Sequence, residues 1–392
     1  MKKCLPILLS LFLITLISGC YSAQKSYERG DYDRAIVLSS KKLRKKPDDQ
    51  KKIEILVNSW EISNRVDKDA LNAHLSSPDP DWEQVYLLYK KLDNRQNVVK
   101  QLPKLKPDSK KWNVDFKFED YSVAMFNAKQ QAVDDMIAKG DAMLAGGGRM
   151  NARSAYDMYN KAYSYDNTNS WIKSKVDQAY LMGQTRVMVR IAPANMIYLP
   201  DGFIQQCLNK RWTNLETTWT KYYTTYQPEV IYHYYNDVLI NSITMSPERV
   251  SETSYVDTKK IEDGWEYIKN PDGSIKTDSL GNKLKQTVYR DITCNIRKYT
   301  MTKDVTVYAN IMIYNAENEF RIANDPITTS YSWRYEYATA KGDSRALSTT
   351  SQNLVNKQVI NYPTNNEMIL NTSPNFGTSV YDKVNQYKNN FQ

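Results

Sequence analysis

The spacing of apolar residues changes once along this chain, near Arg186. Before that point, from Ala23 to about Thr185, strand patterning is scarce and apolar residues recur at helical spacing. After it they alternate, beginning with Val187, Val189 and Ile191, a strand ended by Pro193. A period of 3.6 and a period of 2 put side chains on one face of different elements, so neither pattern serves the other. The spacing therefore predicts an α+β chain: a helical domain over 20–185 and a sheet-containing α/β domain over 186–392. The length suits two domains.

Alternation is strongest late in the chain. Val288, Ile292, Cys294 and Ile296 share one face, and Asp291, Thr293, Asn295 and Arg297 the other. Val305, Val307, Ala309, Ile311 and Ile313 form a second apolar stripe. Met301–Asp304 lies between the two and reads as a turn, giving an antiparallel hairpin with one apolar and one polar face. A third strand, Ile327–Tyr337, would complete a meander in a mainly antiparallel sheet. Stretches 200–215, 346–361 and 379–391 read as helices covering its apolar face. The polar runs Asn270–Gly273 and Asp278–Asn282 read as turns on a protruding loop.

In the N-terminal half, Gly30 ends a helix, Asp31 is placed to cap the next, Ala35 is small where two helices cross, and Pro47 closes the unit. This resembles a tetratricopeptide repeat, whose helical pairs stack with a period of about 34 residues. It departs from the family at Ser39 and Lys42. A second match covers 134–169, where Ala155, Tyr159, Ala162 and Tyr163 fall on one helical face after the break Gly146-Gly147-Gly148. Segments 53–64, 82–92, 121–137 and 171–182 are further helices. The resemblance implies a concave surface that binds protein segments.

The N-terminus carries its own signal. Met1-Lys2-Lys3 is basic, and Leu5–Ile17 is mostly apolar but too short to span a bilayer. Ile17-Ser18-Gly19-Cys20 then looks like a bacterial lipobox, which implies that 1–19 is a lipoprotein signal peptide and that Cys20 is lipidated. The body would be tethered to the outer membrane through that lipid. Acidic residues are absent from 21–26, where some Bacteroidota lipoproteins carry a surface-export signal; the periplasmic side is therefore expected. Losing Lys2 and Lys3 lowers the net charge from +9 to +7. Basic residues cluster at Lys41, Lys42, Arg44, Lys45, Lys46, Lys51 and Lys52. Nucleic acid is a poor partner for an exported protein; anionic headgroups or plain solvent suit this cluster equally.

Tyrosine is abundant, 30 against 8 phenylalanines. The run from Trp219 through Tyr222, Tyr223 and Tyr226, followed by Tyr232-His233-Tyr234-Tyr235, is a candidate binding surface, because such rings combine a large rigid face with a polar tip. The alternative is a Tyr-rich sheet packed on helices. Cys207 and Cys294 either pair in an oxidising compartment or are two buried thiols. His74 and His233 stand apart, and neither has a neighbour at metal-ligand spacing. Phosphate-loop and nucleophile-elbow motifs are missing, so the expectation is a protein that is not an enzyme and uses no cofactor and no metal.

The layout of 186–390 is similar to periplasmic lipoproteins of the curli-secretion-channel and penicillin-binding-protein-activator type. Asp278–Asn282, the aromatic strand and Lys341–Leu347 look like Bacteroidota lipoproteins. The resemblance implies a membrane-anchored, non-catalytic adaptor or assembly factor for other envelope proteins. The alternative is a glycan-, peptidoglycan- or peptide-binding lipoprotein using the Tyr/Trp surface. Pore lining is disfavoured by the polar face Asp291, Asn295 and Arg297.

Overall fold

A computed structural model describes residues 22–108 and 112–391. The leader and Cys20 lie outside them. Contacts divide the chain between Gly183 and Gln184.

The first unit is a succession of helices: α1 Ala23–Glu28, α2 Tyr32–Leu43, α3 Gln50–Leu75, α4 Trp82–Lys100, α5 Ser122–Ala145, α6 Gly148–Tyr165 and α7 Ser170–Gly183. Several of these helices start at a side-chain cap. Gly30 takes a positive φ of 78° in the turn after α1. The Asp31 carboxylate then accepts the Arg34 N–H, and Asp49 and Asp81 do the same for Lys52 and Gln84 at α3 and α4. Each helix packs mainly on its neighbours in sequence. Ala23, Ala35 and Ile55 form the first apolar cluster, and Ile36, Leu43, Ile53 and Leu56 belong to the next. The residues read as one face of α6 are its buried face: Ala155, Tyr159 and Ala162 are fully buried, with Tyr163 packed beside them. The Tyr159 hydroxyl donates to Asp141 at 2.5 Å. Its ring leaves no room opposite: a Cβ on Gly140 would lie 2.5 Å from it.

A charged network ties α2, α3 and α4 together. Arg95, buried on α4, donates to Asp33 at 2.7 Å and Asn64 at 3.0 Å, and also to Asp67. Lys91 reaches Asp67 at 2.9 Å.

The second unit holds a six-stranded sheet: β1 Thr185–Pro193, β2 Thr220–Tyr223, β3 Tyr234–Met245, β4 Arg249–Tyr267, β5 Lys285–Asn315 and β6 Arg321–Gly342. The sheet is mixed. β1 pairs in parallel with β2 and β3, whereas β3, β4 and β6 all run antiparallel to β5. The helical cover is shorter than expected over 200–215 and 346–361, where only α8 Phe203–Leu208 and α9 Thr349–Val355 form, each accompanied by a 3-10 turn. It is longer at the end, where α10 spans Asn365–Tyr387, started by a capping box of Thr364 and Glu367.

The expected turn at Met301–Asp304 does not exist. β5 is one strand of 31 residues running straight through it. The two apolar stripes lie out of phase because the strand is covered on opposite faces in its two halves. Ile292, Cys294 and Ile296 are buried in a small cluster with Leu354 of α9 and Ala346 beside it. Val305 to Ile313 are buried on the other face, in the main core with Phe376, Val380 and Val384 of α10. Between the two helices the chain passes from one face to the other, fastened where Tyr335 Oη donates to the Gln358 carbonyl and Tyr362 Oη to the Arg249 carbonyl.

Cys207 and Cys294 are not bridged; both are buried free thiols, one in the main core and one in the smaller cluster. Burial pushes the Cys207 thiol up to about 12.

Candidate functional site

α8 and α10 cover the sheet face that carries Val187, Val238 and Ile311. Successive side chains of a strand alternate, so the other face carries Met188, which is buried, and Arg190 of β1, Tyr223 of β2, Tyr235 and Asp237 of β3, and Met312 and Tyr314 of β5. The register sets them in two rows. Tyr223, Met188, Tyr235 and Tyr314 lie side by side across four strands, and Arg190, Asp237 and Met312 form the next row.

The two rows are joined into one network. Arg190 grips Asp237 with two bonds, Nε to Oδ1 at 2.6 Å and Nη2 to Oδ2 at 2.5 Å. Its guanidinium carbon sits 4.3 Å from the centroid of the Tyr235 ring. Tyr235 stacks on Tyr314 at 5.5 Å, and the Tyr314 hydroxyl donates to Asp237 at 3.1 Å. The hydrogen bond to Asp237 raises the Arg190 pKa further, so this cation is permanent. Burial and Asp237 hold the Tyr314 phenol above its ordinary range.

The aromatic cluster continues past the strand ends through the ring of Tyr232, which is itself buried. Tyr232 lies 5.9 Å from Tyr235, 5.4 Å from Tyr223 and 5.7 Å from Tyr226. Its hydroxyl accepts the Gln227 N–H at 2.9 Å, which holds the loop bearing Tyr226 against it. Tyr226 is the exposed end, 57% accessible.

The four residues singled out by sequence therefore separate. Tyr223 and Tyr226 belong to this surface. Trp219 precedes β2 and is half-buried, with its carbonyl accepting the Thr185 N–H at 2.6 Å. Tyr222 is not on the surface: strand alternation turns it into the core, against Trp212 and Phe391, with its hydroxyl buried and, among the described residues, without a hydrogen-bond partner. Arg190, Asp237 and Tyr314 escaped sequence reading because they come from three separate strands, up to 124 residues apart. The only sequence signal was polar residues at the outward positions of otherwise apolar strands.

His233 is a packing residue, buried, with Nδ1 accepting the Arg186 N–H at 2.9 Å. Among the described residues no three His, Cys, Asp or Glu side chains are grouped to hold a metal, and no helix is long and apolar enough to cross a membrane. No protein-family model and no curated protein matches the sequence.

Proposed function

We propose that the chain is a lipid-anchored, non-catalytic envelope protein that holds other envelope proteins together, tethered through Cys20 at the outer membrane with its body in the periplasm. The observation that carries this reading is the sheet face opposite α8 and α10, where half-buried Tyr223, Tyr235 and Tyr314 and exposed Tyr226 adjoin one another around the buried Tyr232 ring, with Arg190 stacked on Tyr235. Tyr and Arg are the residues on which binding energy concentrates at protein interfaces. The Arg190–Asp237 pair also holds the rings in place before a partner arrives, which lowers the entropic cost of association. Helical pairs in the first unit supply a second surface for extended segments.

Cross-linking in native membranes followed by affinity recovery tests the proposal. Tyr223→Ala with Tyr226→Ala should reduce recovery of the same envelope proteins at least tenfold, about 1.4 kcal/mol. Unchanged recovery would remove this face from the reading. A glycan-binding alternative is favoured by the neighbouring planar rings beside a charged pair. It predicts saturable binding of isolated peptidoglycan that the same double substitution abolishes, with no protein recovered.

A further inference from the structure

A second feature lies in the first helical unit. The seven basic residues between 41 and 52 gather where α2 ends and α3 begins, and all but Lys52 are exposed. The segment after α4 folds back over this turn: Lys106 N–H donates to the Pro47 carbonyl, Gln50 bonds the Lys106 carbonyl, and Arg44 bonds Gln101. Exposed Lys104 and Lys106 thereby join the group. Nine basic side chains stand there against Asp48, Asp49 and Asp108, and among the described residues none of the nine is in an ion pair.

Helix chemistry does not account for the group. Cations suit the C-terminal end of α2, but Lys51 and Lys52 sit in the first turn of α3, which has no acidic residue and whose positive dipole end they oppose. The chain also enters the fold at this end. α1 folds back on α2 through a short turn, and Ala23 packs with Ala35 and Ile55, with Leu38 beside them. Ser22, two residues after Cys20, therefore lies within about two helical turns of Lys41.

We infer that this basic end of the first helical unit docks on an anionic lipid surface and sets the orientation of that unit at the membrane. The orientation rests on acylation of Cys20, as proposed above; the docking does not. A single acyl signal combined with a basic patch is a recognised route to firm attachment, and charge complementarity favours headgroups over an uncharged partner.

The test uses residues 20–392, without the leader and carrying Cys20→Ser, sedimented with vesicles of phosphatidylcholine alone or mixed with phosphatidylglycerol. Binding should favour the phosphatidylglycerol vesicles and disappear at high salt. Each lysine removed should weaken it about fivefold, so Lys41→Gln, Lys45→Gln and Lys104→Gln together should lower it about a hundredfold. An equal charge change on the β4–β5 ribbon, by Lys259→Gln, Lys260→Gln and Lys276→Gln, should leave it intact. Equal partition between the two vesicles overturns the inference. So does equal loss in both triple variants, or a triple variant that loses a cross-linked protein instead of vesicles. Mass measurement of the native N-terminal peptide reads the anchor separately. Acylated Cys20 with no vesicle preference sinks docking alone; unmodified Cys20 with that preference sinks the anchor alone.

Discussion

Single atoms decide several positions. At Gly377, in the middle of α10, a Cβ would stand 2.3 Å from the Cys207 carbonyl oxygen, a backbone atom that cannot swing away. Gly377→Ala should therefore destabilise the second unit by about 1–3 kcal/mol, despite alanine's better helix propensity, as read by denaturant unfolding. Cys207 itself should resist alkylation near pH 8 until the chain unfolds. Its thiol is held up to about 12 by burial, against an ordinary value of 9.0. Below pH 9 both folded and unfolded thiols keep the proton. Above it the unfolded chain releases the proton while the folded one retains it, so this contribution to stability fades as pH rises from about 9 to about 12. Cys207→Ala should flatten that alkaline loss, which pH-dependent thermal unfolding measures. Buried charge acts similarly in the first unit. Arg95→Met leaves Asp67 with Lys91 alone and should cost about 3 kcal/mol, and adding Asp67→Leu should restore most of it.

At the scale of elements, β5 is the lesson. Two apolar stripes out of phase read as two strands and a turn, because a strand buried on one face keeps a single phase. β5 keeps no single phase, since α9 covers one face of it and α10 the other. Amide exchange separates the two descriptions. The backbone N–H groups of 301–304 should be protected like those of a paired strand, because all four residues pair with β6, Met301 and Thr302 also pair with β4, and the Asp304 N–H donates to the Ser246 hydroxyl in the turn between β3 and β4. Rapid exchange there would restore the turn. The helices were easier to recognise, because Asp31 and the Ala155–Tyr159–Ala162 face act within a few residues of one another.

At the scale of the molecule, each unit has its own apolar clusters, so the substitutions above should be felt separately. Arg95→Met should lower the unfolding midpoint of helical signals from the first unit and leave the second unit's near-ultraviolet tyrosine signal in place; Gly377→Ala should do the reverse. A single shared shift in both cases would mean that the units unfold as one. The proposed binding face also belongs to this scale, since it requires β1, β2, β3 and β5 to be brought into register before any of its rings meet.

Local chemistry determined what was legible in the sequence: the change of period near Arg186, the caps and glycine turns, and the buried face of α6. Each depends on residues within one or two turns of chain. Tertiary structure alone decided that the sheet is mixed, that β5 continues through 301–304, that Tyr222 turns inward, and that Arg190 meets Asp237 and Tyr314. Those outcomes depend on which distant segment covers or pairs with a given face, and a strand's own alternation is silent about which of its two faces will be covered.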